Sequence, residues 1–195
     1  MTATRQIDTK KLVLLALLTA TVVVLQVLAV VVRGPVFSLN LVLIPMVVGA
    51  VLISPLAGGW LGLVFGAVVL ISGDANLFLA FNPFATVVVI LSRGLFSGLA
   101  AGWVYKLLKN KGELPGVLAA AVICPIVNTG LFVAGMYVFF LPLLGEWGIS
   151  GSAETASFIF LVMVGVNFLV ELAINLILCS TTVRLVQYGK EKRLD

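Results

Sequence analysis

Residues 39–72 read LNLVLIPMVVGAVLISPLAGGWLGLVFGAVVLIS, an almost unbroken apolar run, and whether it forms one helix or two decides the fold. Its length suits either one strongly tilted helix or two short ones joined by a tight turn. Ser54-Pro55-Leu56-Ala57-Gly58-Gly59 favours the turn, because proline disfavours helix in the residue before it and lacks a backbone donor. The run then divides into a short second helix over about 39–54, carrying Pro45, and a third over about 56–72. The third ends at Gly73-Asp74-Ala75-Asn76.

On either side lie further apolar stretches of spanning length, about 20 residues at about 1.5 Å each. A first helix precedes the run at about 11–32. A fourth opens at Asn82-Pro83, with asparagine suited to the N-cap and proline to the first helical position, and continues to about 108. A fifth covers about 115–141, with Pro125 as a kink point, and a sixth about 155–186. Residues 1–195 thus form one membrane domain, an all-α bundle of six transmembrane helices.

The basic residues support six helices rather than five. Of the 12 Lys and Arg, six helices put Arg5, Lys10, Lys11, Lys106, Lys109, Lys111, Arg184, Lys190, Lys192 and Arg193 on one side, leaving only Arg33 on the other and Arg93 within a helix. Merging the second and third helices would set Lys106 and its neighbours opposite the N-terminal lysines. The positive-inside rule therefore predicts that the N- and C-termini are both cytoplasmic.

Composition points the same way. The chain is 62% hydrophobic and 10% charged, against about 45–50% and about 25% for a soluble domain. The bilayer must supply the apolar surroundings that a globule of this size cannot. One membrane domain accounts for the length, with no room for a soluble ATPase. The net charge of +4 lies in short clusters between apolar runs, which fits membrane orientation and not nucleic-acid binding. The absence of His removes His-dependent metal sites, Ser–His catalysis and imidazole proton relays. Cys124 and Cys179 lie in apolar runs and read as packing residues, not as a disulfide or a metal pair. Arg5, Lys10 and Lys11 before Leu12–Val32 imitate a signal peptide, but the apolar stretch exceeds the usual 7–15 residues and no small-x-small cleavage site follows. It reads as a retained helix.

Two formal charges remain inside apolar runs, Arg93 in the fourth helix and Glu171 in the sixth. Counting down from Asn82 puts Arg93 about 16 Å deep, near the midplane. Such a residue costs about 2.5–3.5 kcal/mol at a helix centre, so each needs a partner inside the bundle. Asn167, Glu171 and Asn175 stack along one helix face at intervals of four. Asn128 and Thr129 of the fifth helix reach a similar depth, and Gln26 and Asn40 come from the first helix and the start of the second. Two readings stand. Arg93 and Glu171 form a buried ion pair with asparagines as interhelical glue, or the cluster is a ligand site in which Arg93 takes a carboxylate and the amides take hydroxyl or amide groups.

Small residues form a second pattern. Gly58, Gly62 and Gly66 recur every four residues in the third helix, Ala16 and Ala20 in the first, and Gly94, Gly98 and Gly102 in the fourth. Such strips allow close backbone approach, either within the chain, between the first and third helices, or at a docking face for a partner subunit. Trp60, Trp103, Tyr105, Tyr188 and Trp147 read as interfacial anchors. Phe78, Phe81 and Phe84 flank the outer turn, either covering a site or facing lipid.

With these residues in view, the chain resembles the substrate-binding S components of energy-coupling factor (ECF) vitamin transporters over nearly its whole length. The resemblance rests on size, six helices, the Leu14–Ala20 stretch with its Ala16/Ala20 pair, and Ser54-Pro55-Leu56-Ala57-Gly58 between the second and third helices. Asn82-Pro83, Arg93-Gly94, Asn128-Thr129 and Asn167-x-x-x-Glu171 are similar to a pantothenate-type subgroup. The resemblance implies high-affinity capture of a vitamin in an outward cavity closed by the loop of about Arg33 to Asn40. It also implies docking through Ala16 and Ala20, with Gly58 and Gly62 beside them, on an EcfT-type membrane coupling subunit bound to two cytoplasmic ATPases. Toppling of the whole subunit, driven by ATP, then delivers the ligand. Nothing in the sequence cradles a nucleotide phosphate, and no cofactor is implied. The predicted substrate is pantothenate, with folate, cobalamin or a queuosine precursor as alternatives.

A self-sufficient permease or channel is the rival reading, but on the sixth-helix face only Asn175 lies below Glu171 to continue a polar path. An enzyme would need a nucleophile with a base, or a metal set, and Glu171 is the sole buried carboxylate expected.

Overall fold

The computed structural model describes residues 9–31, 41–146, 148–149, 151–159, 165, 168–169, 171–175 and 178. Among them every regular element is helical: α1 (Thr9–Val31), α2 (Leu43–Leu52), α3 (Pro55–Ile71), α4 (Asn76–Phe81), α5 (Pro83–Leu108), a 3-10 turn (Lys109–Lys111), α6 (Glu113–Phe139), α7 (Leu141–Glu146) and α8 (Ser152–Ser157). Residues 171–175 are helical as well. Asn40, Asn167, Arg33, Cys179, Trp147, Tyr188, both termini and most of the expected sixth helix lie outside the described residues.

Two local signals fix the helix starts in the middle of the chain. Ser54 is extended (φ −174°, ψ 163°), its Oγ accepts from the Ala57 N–H at 3.1 Å, and Pro55 is the first residue of α3. Asn82 repeats the device, its Oδ1 accepting from the Ala85 N–H at 3.1 Å while Pro83 opens α5. Each cap satisfies one of the backbone donors that a helix start leaves open. The 39–72 run is therefore two helices. Pro45 and Pro115 sit in the first turns of α2 and α6, where a missing N–H breaks no helical bond. Pro125 lies inside α6 without ending it.

Several bounds differ from the sequence reading. Helix α2 starts at Leu43, after a turn at residues 41–42. A short helix, α4, fills the connection that reads as a plain turn. Its six residues carry no buried side chain and too few turns to show a period. Thr9–Val30, Pro83–Lys111 and Glu113–Phe139 are long and apolar enough to cross a membrane, and α2 and α3 are shorter apolar helices.

The core runs through α2, α3, α5 and α6, with Leu43, Met46, Leu61, Phe65, Ala101, Val117 and Cys124 fully or nearly fully buried. Helix α3 lies along α5, and α5 along α6. Helix α1 is peripheral: it packs on α3 and α2, and its buried residues are Val22 and Gln26, one turn apart on one face. The outer surface is apolar, with Leu17, Phe84 and Ile71 exposed at 62%, 80% and 86%. In a bilayer such surfaces meet acyl chains and need no further burial.

The α3–α5 contact brings two glycine strips face to face. A Cβ on Gly58 would come within 2.6 Å of the Gly98 carbonyl oxygen, and one on Gly62 would overlap the Gly94 carbonyl. Gly94 and Gly98 meet the Gly62 and Gly58 carbonyls in return. The partner of α3's strip is thus α5, not α1. This also corrects the docking role expected for Gly58 and Gly62, whose face is covered by α5 and closed to another subunit. Ala16 and Ala20 differ: both are exposed, on the side of α1 turned away from Val22 and Gln26.

Candidate functional site

Arg93 lies eleven residues into α5 (Pro83 being the first), and α3 and α6 supply its surroundings. Its guanidinium carbon sits 5.7 Å from the Phe65 ring centroid and 5.3 Å from that of Phe132. Two rings therefore contact the cation and replace part of its lost hydration. Its Nε is shut off from solvent and has no hydrogen-bond partner. The Glu171 carboxylate, 8% exposed, acts electrostatically on Arg93.

Glu171 and Asn175 are one turn apart, and the Asn175 Nδ2 donates to the Glu171 backbone carbonyl at 2.9 Å. On α6, the buried Cys124 thiol lies in the field of Glu171, and the Ser97 hydroxyl of α5 donates to the Gly94 carbonyl at 2.9 Å. Cys124, Asn128 and Phe132 follow at intervals of four on α6, so Asn128 sits between a neighbour of Glu171 and a neighbour of Arg93. Asn128 is 3% exposed and its Oδ1 has no donor. An orphaned buried acceptor costs about 1–3 kcal/mol. Arg93 and Asn128 thus present an unused donor and an unused acceptor in the same part of the bundle.

Arg93 feels the field of Glu171, Asn128 lies one turn from Phe132 on α6, and Gln26 bonds instead toward the Asp74 turn. Gln26, 2% exposed, donates from Nε2 to Asp74 Oδ2 at 3.2 Å, tying α1 to the turn before α4. Its Oε1 is buried without a partner. Asn40 and Asn167 lie outside the described residues. The aromatic contacts Phe65 and Phe132 and the neighbour Ser97 carry no site reading in the sequence, and Cys124 reads there only as a packing residue. Phe132 carried a signal, being one turn from Asn128.

Aromatic contacts extend from Arg93 toward α4. Phe132 meets Phe78 edge-on at 6.2 Å between centroids, and Phe78 meets Phe140 at 5.1 Å. Phe78 and Phe81, one turn of α4 apart, thus belong to a cluster with α6. On the other side of Glu171 a narrow cleft is lined by Leu41, Ile44, Glu171, Ile174 and Asn175. It is too tight to seat a water molecule.

A peripheral first helix, a buried guanidinium in the field of a carboxylate, and unused polar atoms between apolar helices suit a membrane protein that binds a small molecule. A family model described as "ECF transporter, substrate-specific component" matches residues 10–183. The chain belongs to this family. No curated protein and no solved structure matches it. As an ECF substrate-specific component it is the substrate-binding membrane subunit of a transporter that also contains EcfT and ATPase modules. Components of this kind are transporter subunits, not enzymes.

Proposed function

We propose that this ECF substrate-specific component captures a small non-aromatic acid bearing hydroxyl and amide groups, with pantothenate as the substrate, and that Arg93 binds its carboxylate. The observation that carries this reading is the guanidinium of Arg93, in contact with two phenyl rings and with Nε left without an acceptor. An unused guanidinium N–H suits a carboxylate, which can accept in the plane of the cation. Asn128 Oδ1 then accepts from a ligand hydroxyl or amide. Glu171 balances the charge of Arg93 in the empty site and yields to the ligand, and Asn167 and Asn40 complete the polar lining.

The same reading has six spanning helices, both termini in the cytoplasm, and delivery by a membrane coupling subunit with two ATPases. Mass spectrometry of small molecules that co-purify with the detergent-solubilised chain tests the substrate. Pantothenate, or another hydroxylated amide-bearing acid, is the expected result; a flat heteroaromatic vitamin would remove Arg93 from its assigned role.

The face of α1 carrying Ala16 and Ala20 serves as the docking surface for the coupling subunit. Ala16→Trp or Ala20→Trp is expected to reduce uptake by the assembled transporter at least tenfold while ligand binding by the isolated chain stays within about twofold, since neither alanine touches the core. Parallel loss of binding in the isolated chain would instead make this face part of the chain's own packing.

A further inference from the structure

At the α5–α6 end of the bundle, positive charge and exposed apolar surface share one rim. Lys106, Lys109 and Lys111 are all exposed, the last two in the 3-10 turn that Gly112 closes with φ 136°. Even against Glu113, the segment 106–113 keeps a net charge of +2, three lysines minus one glutamate. Around the lysines stand Trp103, Leu107 and Leu114, exposed at 58%, 72% and 52%. The Lys106 Nζ lies 5.5 Å from the centre of the Trp103 ring, one turn back on the same helix face. A cation–π contact there holds the ammonium at the level of the indole.

We propose that Trp103, Lys106, Lys109 and Lys111 form a binding site for the headgroup of an anionic phospholipid. In a spanning helix an exposed tryptophan sits at the junction of hydrocarbon and headgroups. Leu107 and Leu114 then lie against acyl chains, and the lysines reach the plane of the lipid phosphates. Lys106 and Lys109, three residues apart, project from one side of the helix end and can share one phosphate. A soluble acidic protein would satisfy the lysines but leave the tryptophan and leucines uncovered, whereas a lipid covers both. This site is independent of the substrate proposed for Arg93.

The test is native mass spectrometry of the full chain in micelles doped with equal phosphatidylglycerol and phosphatidylcholine. The chain is expected to retain phosphatidylglycerol at least roughly tenfold over phosphatidylcholine, the scale set by several lysines at a charged surface. The K106Q/K109Q/K111Q variant should bring that ratio to within about twofold of unity, and K106R/K109R/K111R should keep it. Micelles have no sidedness, so altered membrane orientation cannot produce this result. Equal retention of both lipids by the unaltered chain, or an unchanged preference in the glutamine variant, overturns the proposal. So does displacement of the lipid by excess inorganic phosphate, which would assign the patch to a free anion. Capture of an acidic protein by these lysines without any lipid preference also overturns it.

Discussion

Gly94→Val is expected to leave almost no monodisperse protein on size exclusion in detergent, and Gly62→Val to do the same. A Cβ at either position overlaps the other residue's backbone carbonyl, so no side-chain rotation relieves it and α3 and α5 must move apart. One turn away, the Gly58 and Gly98 pair is equally close, and a Cβ on Gly58 also comes within 2.6 Å of the Ala50 Cβ. Separation at one step therefore opens the contact at the next. Overpacking in a core costs about 1–3 kcal/mol and sometimes more. A rigid backbone-to-backbone clash belongs at or above the top of that range. In a membrane the loss is not recovered by hydrophobic burial, because helix association there depends on close packing itself. Gly130 is the control. It lies on α6 with nothing within 4 Å of a Cβ, so Gly130→Ala should leave the elution profile and thermal midpoint unchanged or slightly improved. Normal behaviour of Gly94→Val would mean that the strips do not meet as described.

The same strips mark how far the sequence could be read. Glycines at intervals of four announce a flat helix face, and both strips are visible at 58/62/66 and 94/98/102. Their pairing is not visible, because a flat face does not encode which other face meets it. Helix starts were legible, since Ser54-Pro55 and Asn82-Pro83 act through local backbone chemistry. Arg93 and Glu171 stood out because charge is rare in apolar runs. Phe65 and Phe132 did not, because a phenylalanine in a membrane helix is unremarkable until its ring is found against a guanidinium. Gln26 shows the opposite error. Polarity alone drew it into the Arg93 cluster, whereas its place toward the far end of α1 puts it beside the Asp74 turn.

Arg93→Ala is expected to weaken binding of pantothenate to the purified chain by about 10- to 100-fold in isothermal titration calorimetry. A hydrogen bond to a charged group contributes about 1.5–3 kcal/mol, and each 1.4 kcal/mol is tenfold in affinity. Truncating a buried charge also disturbs what it balanced, and removal of Arg93 leaves Glu171 without that cation. The double variant Arg93→Met with Glu171→Gln resolves the ambiguity, since it neutralises both groups at similar volume and should keep the fold. If Arg93 holds the ligand, the double variant binds as weakly as Arg93→Ala. If Arg93 only balances Glu171, the double variant recovers affinity. Arg93→Lys should recover little, because an ammonium lacks the planar fork that a guanidinium offers a carboxylate. Glu171→Gln alone separates two roles for the carboxylate. Affinity should hold or rise if Glu171 merely stands in for the ligand's own carboxylate, and fall with that of Arg93→Ala if it touches the ligand.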